Sequence, residues 1–224
     1  MQNILMYGDS NTWGFDPETG GRYAYEERWT TICADLLGPE FCCIPAGLNG
    51  RTTVFDDPLK GCRNGVHGLD LELQTHKPLD LCVVMLGTND LKFTDAEGSA
   101  RGMEQLLRML LSANARYHLS YPVFPNGARI LLAAPVLIRG KNSIGSAWNG
   151  VDMPTVSDMD FNDEEESKKI SMLYQKLAEK YGLEFIDMSL IAEPSLTDGV
   201  HLSKEGHAQI GRAMADKIRE IMCE

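Results

Sequence analysis

No apolar run in the 224 residues approaches the roughly 20 that a bilayer-spanning helix needs, so a membrane span is not expected. Basic residues are outnumbered, 21 against 32 acidic, giving a net charge of −11. Nucleic acid and anionic membrane surfaces recruit clustered Lys and Arg, so neither is expected as a partner. The six cysteines (33, 42, 43, 62, 82 and 223) contain no CxxC and no metal-like spacing. Reduced thiols filling core positions in a cytoplasmic protein are the expectation. Neither GxGxxG after a strand nor a GxxxxGKS or GxxxxGKT loop occurs, so no nucleotide cofactor is expected. Asp158-Met159-Asp160-Phe161-Asn162 imitates the start of a calcium loop. Asp163 and Lys169, however, stand where that loop needs glycine and glutamate, and no metal is expected. Met1-Gln2-Asn3 leads straight into Ile4-Leu5-Met6, without the basic and long apolar segments of a secretory leader.

What is present reads as a globular chain, 43% hydrophobic and 24% charged. Five short apolar runs read as strands: Asn3–Tyr7, Glu40–Ile44, Leu79–Leu86, Ala128–Ala134 and Leu183–Ile186. Cys42 and Cys43, adjacent in the second, should face opposite ways. Helical periodicity fills the intervals. Trp29–Leu37 repeats apolar residues and stops at Gly38-Pro39, and Met103, Leu106, Leu107 and Leu110 form a second stripe. Ile170, Leu173, Tyr174, Leu177 and Tyr181 form a third, with Asn162 and Glu165 as a capping pair and Gly182 as its stop. Ser203 caps a last helix carrying Ile210, Met214, Ile218 and Ile221. Strand and helix alternate throughout, which predicts an α/β domain over 1–224 with a parallel sheet covered on both faces. Two long loops, about 15–27 and 139–161, are candidates for substrate contact.

In an open parallel sheet, ligands bind beyond the carboxyl ends of the strands. Gly8-Asp9-Ser10-Asn11 follows the first strand, Gly47-Leu48-Asn49-Gly50-Arg51-Thr52 the second, and Gly87-Thr88-Asn89-Asp90 the third. After the fifth comes Asp198-Gly199-Val200-His201. A serine, a small-residue turn, an amide and an Asp/His pair thus gather at one edge, the inventory for acyl transfer through a serine nucleophile. Serine needs a base, histidine supplies one, and a carboxylate fixes the histidine's tautomer. The Ser10 amide, Gly50 and Asn89 can supply donors to the oxyanion.

These four blocks in order resemble the SGNH/GDSL hydrolase superfamily over residues 4 to about 210. Gly8–Gly14, Gly47–Thr53 and Met85–Asp90 resemble its arylesterase and acyltransferase branch. The resemblance implies a three-layer α/β/α sandwich, flavodoxin-like, with strand order 2-1-3-4-5. It implies a serine esterase for short acyl groups of a small ester substrate, able to transfer them, working as a homo-oligomer without cofactor. The triad is then Ser10, Asp198 and His201, with the Ser10 amide, Asn89 and either Gly47 or Gly50 in the oxyanion hole; spacing to Arg51 favours Gly50.

Other residues admit blander readings. Asn11 follows the serine where the GDSL name has leucine, and it is a candidate substrate contact together with Trp13 and Trp148. Asp9 and Asp90 read as structural acceptors in tight turns. Arg51 reads as a partner of a carboxylate, a brace of its loop or a substrate contact, and His207, without a carboxylate at matching spacing, as a surface or packing histidine. A rival class stays open: a flavodoxin-like small-molecule binding domain without catalysis. Within the superfamily, a carbohydrate acetylesterase, lysophospholipase or thioesterase is also open.

Overall fold

The strands alternate side chains between two apolar layers, and that period of two organises the whole fold. In the computed structural model, which describes residues 1–116, 121–139 and 161–223, the strands are β1 (Gln2–Gly8), β2 (Phe41–Gly47), β3 (Leu81–Met85), β4 (Ile130–Ala134) and β5 (Glu184–Asp187). All neighbours pair in parallel, in the order β2-β1-β3-β4-β5. The helices are α1 (Ser10–Trp13), α2 (Trp29–Leu37), α3 (Gly65–His76), α4 (Ala96–Leu111), α5 (Ala113–Arg116), α6 (Phe161–Tyr181) and α7 (Lys204–Cys223).

Leu5, Tyr7, Cys82, Val84 and Leu132 point to one face, where they pack with Leu69 of α3, Leu106 of α4 and Tyr174 of α6. Ile4, Met6, Leu81, Val83 and Leu131 point to the other, against Trp29 and Cys33 of α2 and Ile210 and Met214 of α7. Each fully buried aliphatic side chain contributes roughly 1.5–3 kcal/mol, so two such layers fix both sheet faces and the register. The three-layer α/β/α arrangement and the 2-1-3-4-5 order are those the SGNH/GDSL resemblance implies.

Several boundaries differ. β2 runs on through Pro45 to Gly47, three residues past the expected end. As an edge strand, paired only with β1, it tolerates a residue that lacks an N–H. The helix α3 was not anticipated; Asn64 caps it, its side chain accepting from the Val66 N–H. α6 already includes Asn162, which therefore does not precede the helix as a cap. Ser203 does cap α7, its hydroxyl accepting from the Gly206 N–H at 3.1 Å. Cys33 and Cys82 are buried free thiols, whereas Cys62 is exposed and fills no core position. Most of the 139–161 loop, with Trp148 and the calcium-like stretch before Phe161, lies outside the described residues. Among those described, no helix is long and apolar enough to cross a membrane.

The chain runs from β1 out to β2 and then crosses back to β3, so strand order reverses between β1 and β3. Gly8, the last residue of β1, sits opposite Gly47 on one side and Met85 on the other. The turn after Gly8 is thereby flanked by the turns after β2 and β3, the crevice that an open α/β sheet offers to ligands.

Candidate active site

Ser10 opens α1 directly after β1, and Asp9 caps that turn by accepting the Asn11 N–H at 3.0 Å. The turn rests on β2 through Gly47. A Cβ at residue 47 would lie 2.2 Å from the Trp13 nitrogen, so a side chain there would push α1 off the sheet. Gly47 is thus a spacer beneath the serine turn. Gly50 occupies a different position, third in a turn closed by the Arg51 N–H on the Leu48 carbonyl, with φ of 77°. That place in a turn favours glycine and leaves the Gly50 N–H outside the turn's own hydrogen bond.

Asp198 organises the loop before α7 by dividing its two oxygens. Oδ1 accepts the N–H groups of Val200 at 3.0 Å and His201 at 2.9 Å. Oδ2 lies 2.5 Å from His201 Nδ1, and His201 Nε2 lies 2.8 Å from Ser10 Oγ. The three-residue spacing of Asp and His is therefore what lets one carboxylate fold the turn and hold the ring. Burial opposes ionisation of Asp198, but the His201 hydrogen bond and charge outweigh it and hold the carboxyl below its ordinary value. Ser10 and His201 are both buried, and the Phe15 ring tilts against the imidazole with centroids 4.2 Å apart.

Asn89 lies in a 3₁₀ turn, Thr88–Lys92, after β3. Its Nδ2 donates to the Arg51 carbonyl at 3.2 Å, and its Oδ1 accepts from Lys92 Nζ at 2.9 Å. Both contacts fix the amide in one orientation, with one N–H of Nδ2 not needed for the Arg51 bond. Lys92 also draws electron density through Oδ1, which strengthens Nδ2 as a donor. Arg51 stacks over the Tyr7 ring, 4.1 Å from its centroid, and Nη1 donates to the carbonyls of Gly8, at 2.8 Å, and Ala46. It braces the ends of β1 and β2 through backbone carbonyls, one of the three roles read from sequence.

Asp90 accepts from the Thr53 N–H at 2.7 Å, from the Thr53 hydroxyl at 2.6 Å and from the Ser99 hydroxyl at 2.9 Å. It ties the segment after Gly50 to the turn that carries Asn89, a reach far longer than a local turn contact. Burial pushes Asp9 and Asp90 up to about 6. His207 is fully buried, accepts the Trp29 N–H on Nδ1 at 3.2 Å, and is pushed down to about 4 by burial. It is a packing histidine, not a surface one. Among the described residues no cluster of three or more His, Cys, Asp or Glu could hold a metal ion.

The candidate substrate contacts divide. Asn11 is buried with both polar atoms of its side chain engaged: Nδ2 donates to the Val200 carbonyl at 3.3 Å and Oδ1 accepts the Leu202 N–H at 2.9 Å. Its amide thus faces the loop that carries His201. Trp13 is half-buried, with the Arg22 guanidinium 4.6 Å above its ring. Trp148 lies outside the described residues. Sequence reasoning did not single out Phe15 or Lys92. Phe15 lay inside a loop flagged only by length; Lys92, three residues past Asn89, was readable as its i+3 neighbour in a tight turn.

Comparison with known proteins identifies the family. The model of the GDSL-like lipase/acylhydrolase family matches residues 6–209. A carbohydrate acetylesterase family member from Sinorhizobium meliloti is 34% identical, with TM-score 0.87 and 100% of both chains covered. The aryl esterase of M. smegmatis is 30% identical, with TM-score 0.86 over 98% of this chain and 99% of that one. An acetylxylan esterase from Xylanibacter ruminicola is 24% identical over 96% of this chain, which spans only 43% of that protein's length. With the match running through all four strand-end blocks, the chain belongs to the GDSL-like lipase/acylhydrolase family.

Proposed function

We propose that this protein is a serine esterase that hydrolyses short-chain carboxylic esters through an acyl-enzyme on Ser10. The observation that carries the reading is the unbroken path from Asp198 Oδ2 through His201 to Ser10 Oγ, two hydrogen bonds of 2.5 and 2.8 Å. In acylation, Ser10 Oγ attacks the ester carbonyl carbon and its proton passes to His201 Nε2. Asp198 stabilises the imidazolium and keeps its orientation. The carbonyl oxygen takes up negative charge, facing the N–H groups of Ser10 and Gly50 and the Asn89 amide. The proton then moves from Nε2 to the leaving oxygen, the carbon–oxygen bond breaks, and the alcohol departs. Water repeats the sequence on the acyl-enzyme: its proton goes to Nε2, its oxygen bonds to the carbonyl carbon, and Ser10 recovers the proton as the acid leaves. An alcohol in place of water gives acyl transfer by the same steps.

Acetyl is the acyl group we favour, since the S. meliloti and X. ruminicola relatives are named for acetyl esters. Rates with 4-nitrophenyl esters from acetyl to octanoyl, alongside acetylated xylo-oligosaccharides, test the proposal. Fastest turnover of acetyl esters supports it. Absence of hydrolysis across the panel, with a small molecule co-purifying, overturns it in favour of a binding domain.

A further inference from the structure

Asn11 shares a helical turn with Ser10, and its side-chain amide reaches the backbone on both sides of His201, at Val200 and at Leu202. The two groups it binds are 189 and 191 positions away in sequence. Other contacts hold the same loop at other points. The Ser195 N–H donates to the His201 carbonyl at 2.7 Å, and the Tyr23 hydroxyl donates to the Leu202 carbonyl at 3.4 Å. Asp198 grips it from within. Among these, Asn11 alone belongs to the same turn as the serine, so its bonds set the distance between nucleophile and base directly.

We propose that Asn11 is a positioning residue that clamps the His201 loop to the serine turn, aligning Nε2 for both proton transfers. This rests on the reading of Ser10, His201 and Asp198 as a triad. Asn11 is 3% exposed, so replacing its amide with an apolar group leaves the Leu202 N–H and Val200 carbonyl without their partner in a buried place. The loop then relaxes to repair them, and displacement of a catalytic group by about 1 Å costs on the order of a hundredfold in rate. The loss should fall unevenly across substrates. The 4-nitrophenoxide group leaves without a proton, whereas an ethoxide must receive one from His201 as its bond breaks. A misplaced imidazole therefore harms ethyl acetate more than 4-nitrophenyl acetate, although both give the same acetyl-enzyme.

The experiment measures kcat/KM for both esters with wild type, Asn11→Leu, Asn11→Asp and Ser10→Ala, together with thermal midpoints. Leucine is close to asparagine in shape but has no hydrogen-bonding atoms. The expected result for Asn11→Leu is a loss of about tenfold with 4-nitrophenyl acetate and about a hundredfold with ethyl acetate. Asn11→Asp keeps an acceptor for Leu202 and loses the donor to Val200, so the same uneven loss should appear at smaller scale. That variant carries the test should the leucine variant fail to fold. A role in folding alone would lower both rates equally, through fewer active molecules. Equal losses, or none, with Ser10→Ala inactive would overturn the clamp and leave the triad standing. Full activity in Ser10→Ala would remove the triad and the clamp together.

Discussion

Asp198→Asn separates the two tasks of one carboxylate. Asparagine retains an oxygen where Oδ1 accepts the Val200 and His201 N–H groups, so the turn before α7 keeps its shape. Its nitrogen takes the place of Oδ2, 2.5 Å from His201 Nδ1, and donates there. Nδ1 must then accept, which puts the ring proton on Nε2, facing Ser10 Oγ at 2.8 Å. A protonated Nε2 cannot take the serine proton. A triad histidine held in the wrong tautomer costs about 10⁴ in kcat, which is about 5.4 kcal/mol of barrier. Initial rates with 4-nitrophenyl acetate, corrected for uncatalysed hydrolysis, measure the loss, and a thermal midpoint within a few degrees of wild type confirms the retained turn. A kcat within tenfold of wild type in a folded variant would refute the tautomer argument. A collapse of the thermal midpoint would show Asp198 to be chiefly a loop-folding residue.

Asn89→Ala should lower kcat by roughly 10²–10³ with KM changed only a few-fold, since its donor bond strengthens as the oxyanion forms; a raised KM alone would make it a substrate-binding residue. Gly47→Ala places a Cβ 2.2 Å from the Trp13 nitrogen, so the variant should melt at least 10 °C below wild type or fail to fold, and an unchanged midpoint would discredit the spacer role. Asp9 predicts a pH-dependent stability, because burial raises its folded value to about 6, above the ordinary carboxylate value of about 3.9. Its contribution is fully present below the unfolded value and is lost as pH rises through about 6, a cost on the order of 3 kcal/mol at pH 8. Asp9→Asn should therefore be more stable than wild type at pH 8 and lose that advantage towards pH 4, as denaturant melts at both pH values will show; equal stability at pH 8 would contradict the burial argument.

Layering was legible because alternating apolar runs and helical stripes are local features, whereas the strand order came only with the resemblance to the SGNH/GDSL superfamily. Boundaries were less so. Pro45 argues against a strand unless that strand lies on an edge, and edge position is a tertiary fact. α3 hid because Gly65 and Gly68 dilute its pattern; a Cβ at Gly68 would sit 2.7 Å from the Tyr7 hydroxyl, a constraint no sequence window contains. The motif residues Ser10, Asn89, Asp198 and His201 stood out because their types and strand-end spacing match the inventory for a serine nucleophile. The hold of Asn11 on the His201 loop was not legible, since proximity in sequence to a serine does not say which way an amide points. Arg51 kept three readings open until its guanidinium was found on the carbonyls of Gly8 and Ala46.

The central claim is that Ser10 is the nucleophile, and covalent labelling tests it without reference to any natural substrate. Wild type and Ser10→Ala are treated with a serine-directed fluorophosphonate, then read by intact mass, peptide mapping and residual esterase activity. The account predicts one adduct per chain, on Ser10, with activity falling in step with labelling. It predicts neither adduct nor activity in Ser10→Ala. An inactivating adduct on another residue, or full turnover by Ser10→Ala, would contradict it.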